Sequence, residues 1–84
     1  MTYRVLWTPR AEREYKKLPP NLQKEADTMI SHLERDPFRH PGKGVIKKYK
    51  SGYANQYRFK LTPLWRCMYE VIGEAVTLLS FYRK

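Results

Sequence analysis

Cysteine is nearly absent from this chain. Cys67 is the single one in 84 residues, so no internal disulfide can staple the fold. One thiol inside an apolar run fits a reducing compartment, and a cytoplasmic location is expected. Histidine is scarce too, with only His32 and His40. No thiol pair accompanies them, so neither a metal nor another cofactor is expected. No apolar run approaches the roughly 20 residues a bilayer span needs. The opening residues carry no long apolar stretch and no small-residue cleavage site, so neither a membrane anchor nor a secretory leader is expected. A disordered basic tail is excluded by composition, at 42% hydrophobic and 14% aromatic residues. Acidic residues are the last scarcity, and it is local. Residues 1–40 hold 8 Lys/Arg against 6 Asp/Glu, a net of +2, whereas residues 41–84 hold 9 against 2, a net of +7.

What is present reads as one domain, residues 1–84, with a small core. With disulfides and metals excluded, a binding partner is the remaining outside source of stability. Tyr3–Trp7 mixes β-branched and aromatic residues and predicts a strand. Thr8-Pro9 is a helix start, with Thr8 as N-cap and Pro9 at the first helical position. Ala11, Tyr15 and Leu18 recur at helical spacing until Pro19-Pro20 stops the helix. Asn21 is the expected cap of a second helix. Leu22, Ala26, Met29, Ile30 and Leu33 form its apolar stripe, and Asp36-Pro37 ends it. So tight a connection predicts an antiparallel helical hairpin.

Residues 37–44 read as a loop. Val45–Tyr49 is a short strand candidate, followed by a turn at Ser51-Gly52. Tyr57-Arg58-Phe59-Lys60-Leu61 alternates apolar and basic residues, the period of a half-buried strand. Trp65–Ile72 and Val76–Tyr82 are strands joined by a hairpin turn at Gly73-Glu74. The order is β-α-α-β-β-β, with Val45–Tyr49 as a possible addition. The fold class is therefore α+β: an N-terminal strand, and a helical hairpin packed on one face of a small, mainly antiparallel sheet. Tyr57, Phe59 and Leu61 are expected to face the helices, and Arg58 and Lys60 the other side. A concentrated positive face of this kind attracts a polyanion and stabilises negative charge on a reacting phosphate.

These segments resemble the RelE/ParE superfamily of bacterial and archaeal type II toxins. The likeness runs nearly the whole length: the opening strand, Ala11 to Leu18 before a proline turn, and a second helix closing on Asp36-Pro37. It continues through Gly52, Tyr57 to Leu61, and Trp65-Arg66-Cys67-Met68-Tyr69-Glu70-Val71. The resemblance implies a toxin that binds the ribosome and cuts mRNA in the A site, held in check by a cognate antitoxin. That antitoxin is expected to wrap the toxin with an acidic or amphipathic segment. ParE-like members instead block DNA gyrase and generally lack the complete basic set. Arg58, Lys60 and Arg66 therefore favour the ribosome-dependent endoribonuclease. A gyrase inhibitor and a degenerate RNA-binding member are the alternatives. The chain departs from the compact YoeB-type pattern at two points. Arg83 stands where those members carry a catalytic histidine, and the loop around Gly44-Val45-Ile46 offers no carboxylate.

Cleavage of RNA through its own 2′-hydroxyl needs a base, positive charge on the phosphate, and an acid for the leaving 5′-oxygen. Arg66 is the choice for the phosphate, because a guanidinium grips two oxygens at once. Lys60, beside Arg58 and near Arg66, is the candidate base, since neighbouring cations favour a neutral amine. Arg83 or Lys84 is expected to stabilise the leaving group, unless the two are a frayed terminus. Tyr82 is either the proton donor or a packing residue. Lys47, Lys48 and Lys50 are phosphate grips or plain solubility residues. For Arg66 the bland alternative is an ion pair with Glu70, and Cys67 reads as a small buried hydrophobe.

Overall fold

The computed structural model describes residues 2–49 and 55–84. Lys50 and the turn expected at Ser51-Gly52 lie outside the described residues. Seven elements follow in order: β1 (Arg4–Trp7), α1 (Pro9–Lys17), α2 (Pro20–Arg35), β2 (Ile46–Lys48), β3 (Gln56–Lys60), β4 (Trp65–Ile72) and β5 (Ala75–Arg83). The short candidate strand is thus real, and the sheet has five strands in the order β1-β5-β4-β3-β2. Three of its four pairings are antiparallel, and β1 lies parallel to β5.

Helix α1 starts as its sequence demands. The Thr8 side chain accepts a hydrogen bond from the Ala11 N–H at 3.1 Å, and Pro9 occupies the first turn. Helix α2 does not use Asn21 as its cap. It begins two residues earlier than that cap implies, with Pro19 at the cap position, Pro20 inside the first turn and no side-chain cap bond. Pro20 has no N–H to leave unsatisfied, and its ring presets the helical φ, so the start needs no side-chain acceptor. The helices are tied together by Tyr15, whose hydroxyl donates to Asp27 at 2.7 Å and whose carbonyl accepts from Gln23 at 3.0 Å.

The core lies between the helices and one face of the sheet. Ala11, Leu22, Ala26, Met29 and Leu33 from the helices meet Phe59, Cys67, Tyr69, Val71, Val76, Leu78 and Phe81 from the strands. Tyr69 is fully buried, and its hydroxyl donates to the Pro37 carbonyl at 2.6 Å, which fastens the loop after α2 to the sheet. Gly73 supplies the positive φ, +58°, that the two-residue β4–β5 turn requires.

Candidate nucleic-acid interface on the open sheet face

Alternation along each strand decides which residues reach the face that the helices leave bare. Phe59 and Cys67 are core residues, so their neighbours Arg58, Lys60, Arg66 and Met68 project the other way. Cross-strand register then assembles two rows on that open face. One row holds Tyr82, Arg66 and Lys60 on β5, β4 and β3. The next holds Ser80, Met68, Arg58 and Lys47 on β5, β4, β3 and β2. Five of the residues expected at the site, Lys47, Arg58, Lys60, Arg66 and Tyr82, therefore share one surface. Among the described residues the ion pairs within 4.0 Å are Arg10–Glu14 and Lys16–Glu12, both on α1, so no carboxylate neutralises these rows at contact distance.

The remaining candidates are placed differently. Lys48 pairs with Tyr57 and so lies on the helix-side parity at the sheet's edge. Arg83 pairs with Trp65, one residue out of phase with Tyr82, and is exposed at the end of β5. Lys84 follows it, with its backbone N–H donating to the Leu64 carbonyl at 2.7 Å. His32 and His40 stack 4.6 Å apart against Phe59, on the helix side and away from the basic rows. Cys67 is buried, and burial pushes its thiol far above the ordinary range, which removes it as a nucleophile.

Arg66 has a local task that the sequence does not announce. The residue is 8% exposed. Its Nη1 donates to the carbonyls of Thr62, Pro63 and Trp65 at 2.8, 3.0 and 3.2 Å. The guanidinium is thus fixed by the β3–β4 turn, and Glu70 is not its partner in any salt bridge among the described residues. One Arg thus closes the turn while standing in the open-face row of Lys60 and Tyr82.

Tyr82 reaches that face because β5 carries a bulge. Met68 pairs with Ser80, but Tyr69 pairs with Leu78, so Leu79 is an extra residue. One inserted residue reverses the in-and-out phase of everything beyond it. Without it Phe81 would point out and Tyr82 into the core. The bulge is held from α1. Thr8 donates through its backbone N–H (3.2 Å) and its hydroxyl (2.9 Å) to the Leu78 carbonyl, while the Phe81 N–H donates to Glu14 at 3.1 Å. Sequence reasoning missed this clamp. Its signal is the Leu78-Leu79 doublet, with Phe81 three positions after Leu78, a spacing that strict alternation cannot bury.

A second missed residue is Tyr49. It continues β2 beyond Lys48, with its N–H donating to the Gln56 carbonyl at 3.0 Å. Its parity is that of Lys47, so the phenol lies over the open face. There the Tyr49 and Tyr82 hydroxyls meet at 2.9 Å. Tyr82 is pushed up to about 12, chiefly by burial and next by the Tyr49 phenol, with the nearby Arg58 guanidinium opposing both. Tyr82 is therefore a neutral phenol at physiological pH. Two surface hollows lie along α1: one is lined by Trp7, Glu12, Tyr15 and Lys16, the other by Glu14, Lys17, Leu18, Trp65 and Phe81. Neither hollow is lined by Lys47, Arg58, Lys60, Arg66 or Tyr82.

Neither a family model nor a curated protein sequence matches the chain. Solved structures do match over nearly its full length. The YoeB/ParE toxin from Agrobacterium tumefaciens superposes with a TM-score of 0.82 at 19% identity, covering 96% of this chain and 98% of that one. The archaeal RelE–RelB complex from Pyrococcus horikoshii gives 0.80 at 23% identity, over 99% and 96% of the two chains. The toxin–antitoxin complex RelBE2 from Mycobacterium tuberculosis gives 0.79 at 23% identity, over the whole of both chains. The chain has the fold of these toxin structures, as its helical hairpin and mixed sheet lead one to expect.

Proposed function

We propose that this protein is the toxin of a type II toxin–antitoxin pair and acts as a ribosome-dependent endoribonuclease through its open sheet face. The observation that carries the reading is the gathering of Lys47, Arg58, Lys60, Arg66 and Tyr82 on one surface with no acidic contact among the described residues. A positive platform beside a neutral phenol has the parts for in-line attack by a 2′-hydroxyl. Arg66, already held by the turn carbonyls, meets the crowded phosphate with little reorganisation. Arg58 supports it from the adjacent row, Lys60 takes the hydroxyl proton, and Tyr82 protonates the leaving 5′-oxygen. Lys84, beyond the end of β5, steadies the leaving group, whereas Arg83 lies out of phase with Tyr82. The ribosome supplies the orientation of mRNA that a shallow platform lacks.

The toxin role draws further support from the fold shared with RelE, YoeB/ParE and YafQ proteins, several of which are toxin–antitoxin complexes. A cognate antitoxin with an acidic segment would cover the same charge and stabilise a small core by mass action. The test is translation in an extract followed by mapping of mRNA ends. Arg58→Ala and Lys60→Ala are expected to lower the yield of new ends by about 10²–10³-fold with the thermal midpoint retained. Parent-level cutting by both variants, or no new ends from the parent, defeats the reading.

A further inference from the structure

Tyr49 and Tyr82 approach from opposite edges of the open face. Tyr82 stands in the row of Arg66 and Lys60, whereas Tyr49 stands beside Gln56, two rows away. Their side chains therefore run diagonally over the row that holds Arg58, Met68 and Ser80, and their hydroxyls meet at 2.9 Å. This accounts for the burial of Ser80, which is only 7% exposed although it lies on the face without helices. A phenol has one proton and can accept as well as donate. Anchored at its oxygen by a partner on another strand, Tyr82 loses the freedom to swing out into solvent.

We propose that Tyr49 is a positioning residue for Tyr82: its hydroxyl holds the neutral Tyr82 hydroxyl in place over Arg58. The inference rests on the nuclease reading and deepens it. The step balances as follows. The Tyr82 O–H bond breaks as an O–H bond forms on the leaving 5′-oxygen, whose bond to phosphorus breaks. The phenolate left behind accepts from the Arg58 guanidinium and regains its proton from water. The charged and titratable groups facing Tyr82 are Tyr49 from β2, Arg58 and Lys60 from β3, and Arg66 from β4. Only Tyr49 both raises the Tyr82 proton affinity and touches its oxygen as a neutral group.

Tyr49→Phe removes the one hydroxyl and keeps the ring. Cleavage of ribosome-bound mRNA is expected to fall about 10-fold to 10²-fold, in kcat rather than KM. In the background of Tyr82→Phe, the same change is expected to cost nothing further, since Tyr49 acts only through Tyr82. In the free protein with labelled tyrosine rings, the Tyr82 resonance of the Tyr49→Phe variant is expected to titrate at lower pH than in the parent. A purely structural Tyr49 would not couple to Tyr82 in this way. An unmoved Tyr82 titration, or Tyr49→Phe cutting at the parent rate, overturns the assignment. An inert parent sinks the nuclease reading and the catalytic role with it. That failure is recognisable because the parent arm itself yields no ends while the titration still reports the contact.

Discussion

The helix-covered face of the sheet and its open face are built from alternate residues of the same strands, yet they follow opposite rules. On the covered side Cys67, Tyr69, Val76 and Leu78 are fully buried, and the one polar tip among them, the Tyr69 hydroxyl, has a carbonyl partner. On the open side Arg58 and Lys60 are half-buried cations with no carboxylate in contact among the described residues. Burial energy governs the first surface and leaves the second unconstrained, so charge can collect there at little cost to the fold. The bulge at Leu79 is where the two demands conflict, because Phe81 must enter the core while Tyr82 stays out.

The sharpest way to break this contrast is to truncate an apolar residue on each side of it. Leu33 of α2 is wholly buried, whereas Ile72 at the end of β4 is 59% exposed. Leu33→Ala is expected to cost about 2–5 kcal/mol of unfolding free energy, the transfer and cavity terms together. Ile72→Ala is expected to stay within about 0.5 kcal/mol. Urea unfolding of the two variants beside the parent measures both. Similar losses at the two sites would mean that the open face is covered by something other than solvent.

Arg66 lies on the open face yet is buried, and it gives the next effect in size. Arg66→Ala strips a donor from the carbonyls of Thr62, Pro63 and Trp65. A stability loss of about 1–3 kcal/mol is expected from the unsatisfied groups, together with the loss of mRNA cleavage. Arg58, which makes no comparable bond to a turn among the described residues, separates the two effects: Arg58→Ala is expected to lower cleavage about 10²–10³-fold while leaving the melting curve in place. If Arg66→Ala melts like the parent, the turn does not depend on it and the residue serves the open face alone.

Much of this was legible in the chain, and the reasons differ by element. Strong periodicity fixes α1, α2, β3 and β4, since a misplaced Phe59 or Leu33 would expose a large apolar side chain. Alternation around Phe59 was enough to put Arg58 and Lys60 on the same outer face. Besides the Leu79 bulge and the turn bonds of Arg66, three features were not legible. The parallel pairing of β1 with β5 is a long-range contact, and nothing in Arg4–Trp7 names its neighbour. The start of α2 was misassigned to Asn21 because a capping side chain is a stronger sequence signal than a proline at the first position. Tyr49 was invisible as a partner of Tyr82 because their meeting depends on side chains reaching across two intervening strands.

The smallest effect tests whether the two sides of a single strand differ. Lys47 and Lys48 are adjacent on β2 and both exposed. Lys47 pairs with Arg58 on the open face, whereas Lys48 pairs with Tyr57 on the opposite parity. A nucleic-acid strand lying across the open face contacts the first and passes the second. Each phosphate contact to a single strand contributes a slope of about 0.7 in log affinity against log salt concentration. Lys47→Ala is therefore expected to flatten the salt dependence of binding to a single-stranded oligoribonucleotide by about that amount. Lys48→Ala is expected to leave the slope unchanged, although it removes the same net charge. A long-range field would weigh the two lysines equally, because they are neighbours along the chain and their charges are identical. Equal slopes in the two variants would replace a defined track over the open face with diffuse attraction to the whole basic end of the molecule.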